Sequence, residues 1–168
     1  RMFLDMLGAH GTQYVIPVFQ RVYSWNRDQC EELWGDILRA GRTGNTHFVG
    51  TLLYSEDPDD GSGVKRLSVI DGQQRTATLT LLLAAFERHL RRTGAAFDGI
   101  DADFVRDNFL FVGDEHKLKL SRTDRKTLFA LLDGTAMPER VSERVVENYE
   151  YFCSRTEEDD YSPRTLWA

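Results

Sequence analysis

Apolar positions along the chain follow two periods, and the switches between them mark out the elements. Cys30, Leu33, Trp34, Ile37 and Leu38 recur at i, i+3, i+4, i+7 and i+8 behind an Asn26/Gln29 capping-box pair, which predicts an amphipathic helix. Leu79, Leu82, Leu83, Phe86 and Leu90 form a second helical stripe, which Gly94 is placed to end. Residues 2–8, 103–109, 123–132 and 142–153 predict further helices. Residues 13–16 read as a short strand that Pro17 stops by removing a backbone donor, with a loop from 17 to 24. The β-branched and aromatic runs 48–54 and 64–70 flank a Gly/Asp/Pro loop at 57–63 and predict an antiparallel hairpin. Residues 117–120 suit either a short strand or an extended linker. The acidic last ten residues are expected to be disordered or to lead into a further domain.

Composition narrows the class. A chain of 168 residues with 41% hydrophobic content suits one domain with a real core, and no apolar run approaches the roughly 20 residues that span a bilayer. Arg1 in place of an initiator Met, with no charged-then-apolar leader, reads as an excised piece without a signal peptide. Cys30 and Cys153 lie far apart within helical patterns, which argues against a disulfide framework or zinc site and for a reducing, cytoplasmic compartment. The net charge of −6 owes much to two acidic runs, at 56–60 and 157–160, so the rest of the chain is near neutral and permits a local basic site.

Candidate chemistry centres on Val69-Ile70-Asp71-Gly72-Gln73-Gln74-Arg75-Thr76, a strand, a tight turn and a helix start. A helix beginning there leaves free N–H groups aimed at any anion. Gly72 allows close approach or a positive φ, and Gln73, Gln74 and Arg75 add amides and a guanidinium around the opening. Arg75 dominates: a helix-end charge effect is worth about 0.3–1 kcal/mol, whereas hydrogen bonds to charged groups contribute about 1.5–3 kcal/mol. The competing reading has Asp71 capping the helix and Arg75 in a surface ion pair.

Gln20-Arg21 repeats the Gln-Arg dipeptide in a second loop beyond a strand end. If both loops open on one sheet edge, Arg21 and Arg75 can grip adjacent phosphates while Gln20, Gln73 and Gln74 orient water or substrate. Tyr23 and Trp25 supply rings for base stacking, or simply core. Asp36 is a candidate for a divalent metal or for orienting an arginine, and His47 for acid or base; each also suits an ordinary solvent-facing or capping role. His10, His47, His89 and His116 lack ligand spacing, so zinc is not expected. No Walker loop, G-x-S-x-G elbow or H-E-x-x-H is present. Pro58-Asp59 with Glu115-His116-Lys117 has the residue types of a metal-dependent nuclease set, in weak contexts.

Four ordered motifs carry a resemblance: Ile16-Pro17-Val18-Phe19-Gln20-Arg21-Val22-Tyr23-Ser24-Trp25, Glu32-Leu33-Trp34-Gly35-Asp36-Ile37, His47-Phe48-Val49-Gly50, and the Val69 to Leu79 segment. Together they resemble the N-terminal, DGQQR-motif domain of GmrSD-type restriction endonucleases. The resemblance implies an α+β fold: a small core similar to the ParB and sulfiredoxin superfamily, with a β-hairpin and mixed sheet flanked by several helices. It implies a core over residues 1–95 and a helical extension of the same domain over 96–168, truncated before a C-terminal domain. It also implies a nucleotide-binding, NTP-hydrolysing regulatory domain of a phage-defence protein acting on modified DNA, with a nucleoside triphosphate (GTP or ATP) and Mg²⁺ as cofactors. Asp71, Gln73, Gln74 and Asp36 are then the catalytic candidates, with Asp71 also a candidate metal ligand. Gln20, Arg21, Gly72, Arg75, Thr76, Trp25 and His47 are the nucleotide-binding candidates. The implied partners are nucleotide, DNA through the full-length protein, and an HNH-type nuclease domain or subunit; DNA cleavage by this chain alone is not expected. The alternative is a non-catalytic ParB-like DNA-binding module.

Overall fold

The structure, a computed structural model, describes residues 2–17, 22–44, 52–158 and 161–167. Its elements in order are α1 (Met2–Leu7), β1 (Thr12–Val15), α2 (Arg27–Thr43), β2 (Leu53–Glu56), β3 (Lys65–Asp71) and α3 (Gln73–Thr93). There follow α4 (Ala102–Val105), a π-helical turn (Arg106–Leu110), β4 (Phe111–Val112), β5 (Glu115–His116), β6 (Leu118–Lys119), α5 (Arg122–Asp133), α6 (Glu143–Thr156) and α7 (Pro163–Trp167). The fold is α+β.

The main sheet is mixed, in the order β2-β3-β1-β6. β2 and β3 form an antiparallel hairpin as expected, but β2 spans Leu53–Glu56 where the sequence predicts a strand over 48–54, residues 48–51 of which lie outside the described residues; its register is irregular between Leu53 and Tyr54. β3 and β6 both run parallel to β1, so all three strands point their C-terminal ends the same way. Of the 117–120 segment, Leu118–Lys119 is therefore a sheet strand and not a linker. β4 and β5 form a separate antiparallel pair that periodicity could not reveal in strands of two residues.

α2 begins with the capping box expected of Asn26 and Gln29, in which each side chain bonds the other's backbone. Gly94 ends α3 at φ 68, the left-handed conformation typical of glycine after a helix. α3 departs from the expected single stripe, because Ala77, Leu81, Ala84 and Ala85 are buried along with the predicted leucines. It is a central helix. Its buried threonines fit because Thr76, Thr78 and Thr80 each donate to the carbonyl four residues back.

The expectation of a disordered C-terminus fails for residues 161–167. α7 is helical, Leu166 is buried, and Trp167 stacks on Phe86 and meets Phe109 edge-on, with ring centroids 5.9 and 5.3 Å apart. These aromatic contacts outweigh the acidic run that suggested disorder. α2 and α7 approach closely at Gly41, where a Cβ would lie 2.1 Å from the Thr165 carbonyl oxygen.

Candidate functional site

The three parallel strands β1, β3 and β6 deliver their following residues to one place. Ile16 follows β1, Gln73 and Gln74 follow β3, and Leu120, Ser121 and Asp124 follow β6; with Tyr23 and Ala77 they line a small open cleft. Clefts beyond the carboxyl ends of parallel strands are favoured ligand positions because helices begin there and point free N–H groups outward.

The turn into α3 is built by Gly72, the N-cap, at φ 86 and ψ 15. A side chain disfavours this left-handed backbone. The Asp71 carboxylate accepts the Gly72 N–H at 2.9 Å and so closes its own turn. It leaves the first turn of α3 without a side-chain cap. Arg75 forms no ion pair among the described residues; its guanidinium lies over the Trp25 ring, 5.9 Å from the centroid. Neither half of the competing reading, an Asp71 cap and an Arg75 surface pair, describes the corner. An uncapped helix start beside an arginine is a ready anion receptor.

The two glutamines differ. Gln73 donates from Nε2 to the Ile70 carbonyl at 2.6 Å, leaving its amide oxygen unbonded among the described residues. Gln74 is buried and spans the segment after Arg21: its Oε1 accepts the Ser24 N–H at 2.7 Å and its Nε2 donates to the Val22 carbonyl at 3.1 Å. Thr76 is fully buried, and its hydroxyl donates to the Gly72 carbonyl at 2.8 Å.

Further anchors hold the 22–25 segment. The Tyr23 N–H donates to Asp124 Oδ2 at 2.7 Å, and the Tyr23 hydroxyl meets Thr78 Oγ1 at 2.6 Å. Asn148 Nδ2, from α6, reaches both the Tyr23 hydroxyl and the Trp25 carbonyl at 2.8 Å. Burial pushes the Tyr23 phenol far above its ordinary range, so at neutral pH it is a neutral structural hydroxyl.

Gln20, Arg21 and His47, all proposed for nucleotide, lie outside the described residues. Asp36 sits on α2, where its carboxylate accepts from Arg39 at 3.0 Å. The nuclease-like set is taken up elsewhere. Asp59 closes an exposed turn onto Gly61 N, Glu115 pairs with Arg66, and buried Lys117 donates to the Ala9 carbonyl. Sequence reading passes over Ser121, Asp124 and Asn148. The Ser121-x-x-Asp124 spacing is the one signal that could have drawn attention to the first two.

The model of the family described as GmrSD restriction endonuclease, N-terminal domain, matches residues 3–164, nearly the whole chain. The chain belongs to that family. Membership in the GmrSD N-terminal family supports a role in restriction, a phage-defence function. No curated protein matches the chain. Among the described residues no helix is long and apolar enough to cross a membrane.

Proposed function

We propose that the α3 corner binds the phosphates of a nucleoside triphosphate, and that this GmrSD N-terminal domain uses nucleotide binding and hydrolysis to regulate restriction of modified DNA. The observation that supports this most is the uncapped start of α3 at the ends of three parallel strands, with Arg75 beside it and without an ion pair among the described residues. Arg75 and Arg21 are assigned to phosphate, where a guanidinium can bond in bidentate fashion. Trp25 is the ring on which a base or Arg75 itself can stack.

Gln73, with a free amide oxygen beside the cleft, is assigned to orienting the attacking water. Gln74 acts as a positioning residue through the 22–24 segment it holds. Mg²⁺ would neutralise developing charge on the phosphates. In the full-length protein the partners are DNA and a nuclease domain or subunit, as the family's name suggests, and the compartment is the cytoplasm.

The test is a titration of GTP and of ATP, each with Mg²⁺, against wild type and Arg75→Ala. Loss of about 1.5–3 kcal/mol of binding in the variant is expected. Equal binding by both proteins, or none by either, removes the phosphate assignment.

A further inference from the structure

α5 opens on Ser121-Arg122-Thr123-Asp124, the spacing of a capping box. The box is not made. Ser121 forms no side-chain cap bond, and Asp124 Oδ2 instead accepts the Tyr23 N–H at 2.7 Å. The same device at Asn26 and Gln29 is closed reciprocally. Arg122 stands at φ 46, within the left-handed region, although it carries a side chain. Outliers of this kind concentrate where a binding site overrides local preference.

Ser121 and Asp124 both line the cleft. Ser121 is only 2% exposed, and its hydroxyl has no hydrogen-bond partner among the described residues. Asp124 is 5% exposed and pairs with no cation among them. A buried carboxylate without a counter-charge is costly, and the cost falls when a cation binds. A carboxylate and a hydroxyl one helical turn apart are hard oxygen donors, which suit Mg²⁺ or Mn²⁺. By contrast Asp71, the metal candidate in the sequence, is exposed and engaged in its own turn.

We propose that Ser121 and Asp124 form a divalent-cation subsite of the Mg²⁺ class at the ends of β1, β3 and β6, the ion bridging from α5 to phosphates held at the start of α3. Mg²⁺ commonly takes one or two carboxylates and completes its shell with water and substrate phosphates. The bridging half of the proposal rests on the phosphate reading of the α3 corner; the cation half does not.

The test follows free Mn²⁺ by electron paramagnetic resonance during titration of the whole chain, alone and with tripolyphosphate, each arm read against a protein-free titration that accounts for the Mn²⁺ tripolyphosphate chelates by itself. Wild type is expected to bind one Mn²⁺, more tightly when tripolyphosphate is present. Asp124→Asn keeps an oxygen for the Tyr23 N–H while removing the charge, and is expected to lose at least about tenfold in Mn²⁺ affinity. Ser121→Ala is expected to lose a few-fold with an unchanged melting temperature. Mn²⁺ affinity in Asp124→Asn equal to wild type, or no Mn²⁺ bound by wild type in either arm, overturns the cation site. Should Asp124→Asn fail to fold, an unchanged affinity in Ser121→Ala overturns it alone. Mn²⁺ binding that depends on Asp124 but is indifferent to tripolyphosphate sustains the cation site and removes the phosphate bridge.

Discussion

Gln74 reads the backbone of a distant loop as a neighbouring strand would, accepting from Ser24 N–H and donating to the Val22 carbonyl. Its amide thereby fixes residues 22–24 against the first turn of α3. Gln74→Ala removes both bonds and leaves a partly buried N–H and C=O unpaired, a loss of about 1–3 kcal/mol. Urea denaturation checks that value. On the proposed phosphate assignment, a parallel phosphate titration is expected to show weaker binding than the stability loss alone explains, because the 22–24 segment beside the α3 corner is no longer held.

Gly41→Ala tests the C-terminal docking. The added Cβ would fall 2.1 Å from the Thr165 carbonyl oxygen, so α7 must shift or detach, costing about 1–3 kcal/mol. A change in tryptophan fluorescence, as Trp167 leaves Phe86 and Phe109, is expected alongside the lower denaturation midpoint.

Alkaline conditions should destabilise the fold. Burial, with a smaller effect from Tyr54, pushes the Tyr14 phenol up from 10.0 to about 12. Between those values the folded chain retains a proton that the unfolded chain releases, so stability falls as pH rises through this window. The loss from Tyr14 across the whole window is no more than about 3 kcal/mol, and the raised Tyr23 phenol acts in the same direction. Denaturation midpoints at pH 8, 10 and 11 measure the slope. Tyr14→Phe should flatten it, at a cost of about 1 kcal/mol from the lost bond to the Met6 carbonyl.

The cysteines should be inert in the native protein. Cys30 is fully buried, and burial raises its thiol from 9.0 to about 11; the same cause raises Cys153. Iodoacetamide at pH 7.5 is expected to label neither within minutes in buffer and both in concentrated urea, as read by intact mass.

The elements legible in the sequence are those whose signals are local. The capping box at Asn26, the glycine stop at Gly94 and the apolar stripes of α2 and α3 each depend on residues within a few positions of one another. The α3 corner was legible for the same reason, since strand, glycine turn and helix start are contiguous. What escaped depends on assembly. Ala77 and Leu81 are buried because α3 is enclosed by α6, α4 and the π-helical turn, which no single-helix pattern reports. Asp124 joins the cleft through a bond to Tyr23, about a hundred residues earlier, and α7 is ordered by aromatic rings from three other segments.

The convergence of β1, β3 and β6 gives the cleft walls drawn from the beginning, middle and later part of the chain. None of those segments possesses the cleft alone, so whatever occupies it must select the fully assembled sheet over every partly opened form. Occupancy then stabilises the whole fold by mass action, and resistance to proteolysis becomes a direct gauge of whether the site is filled.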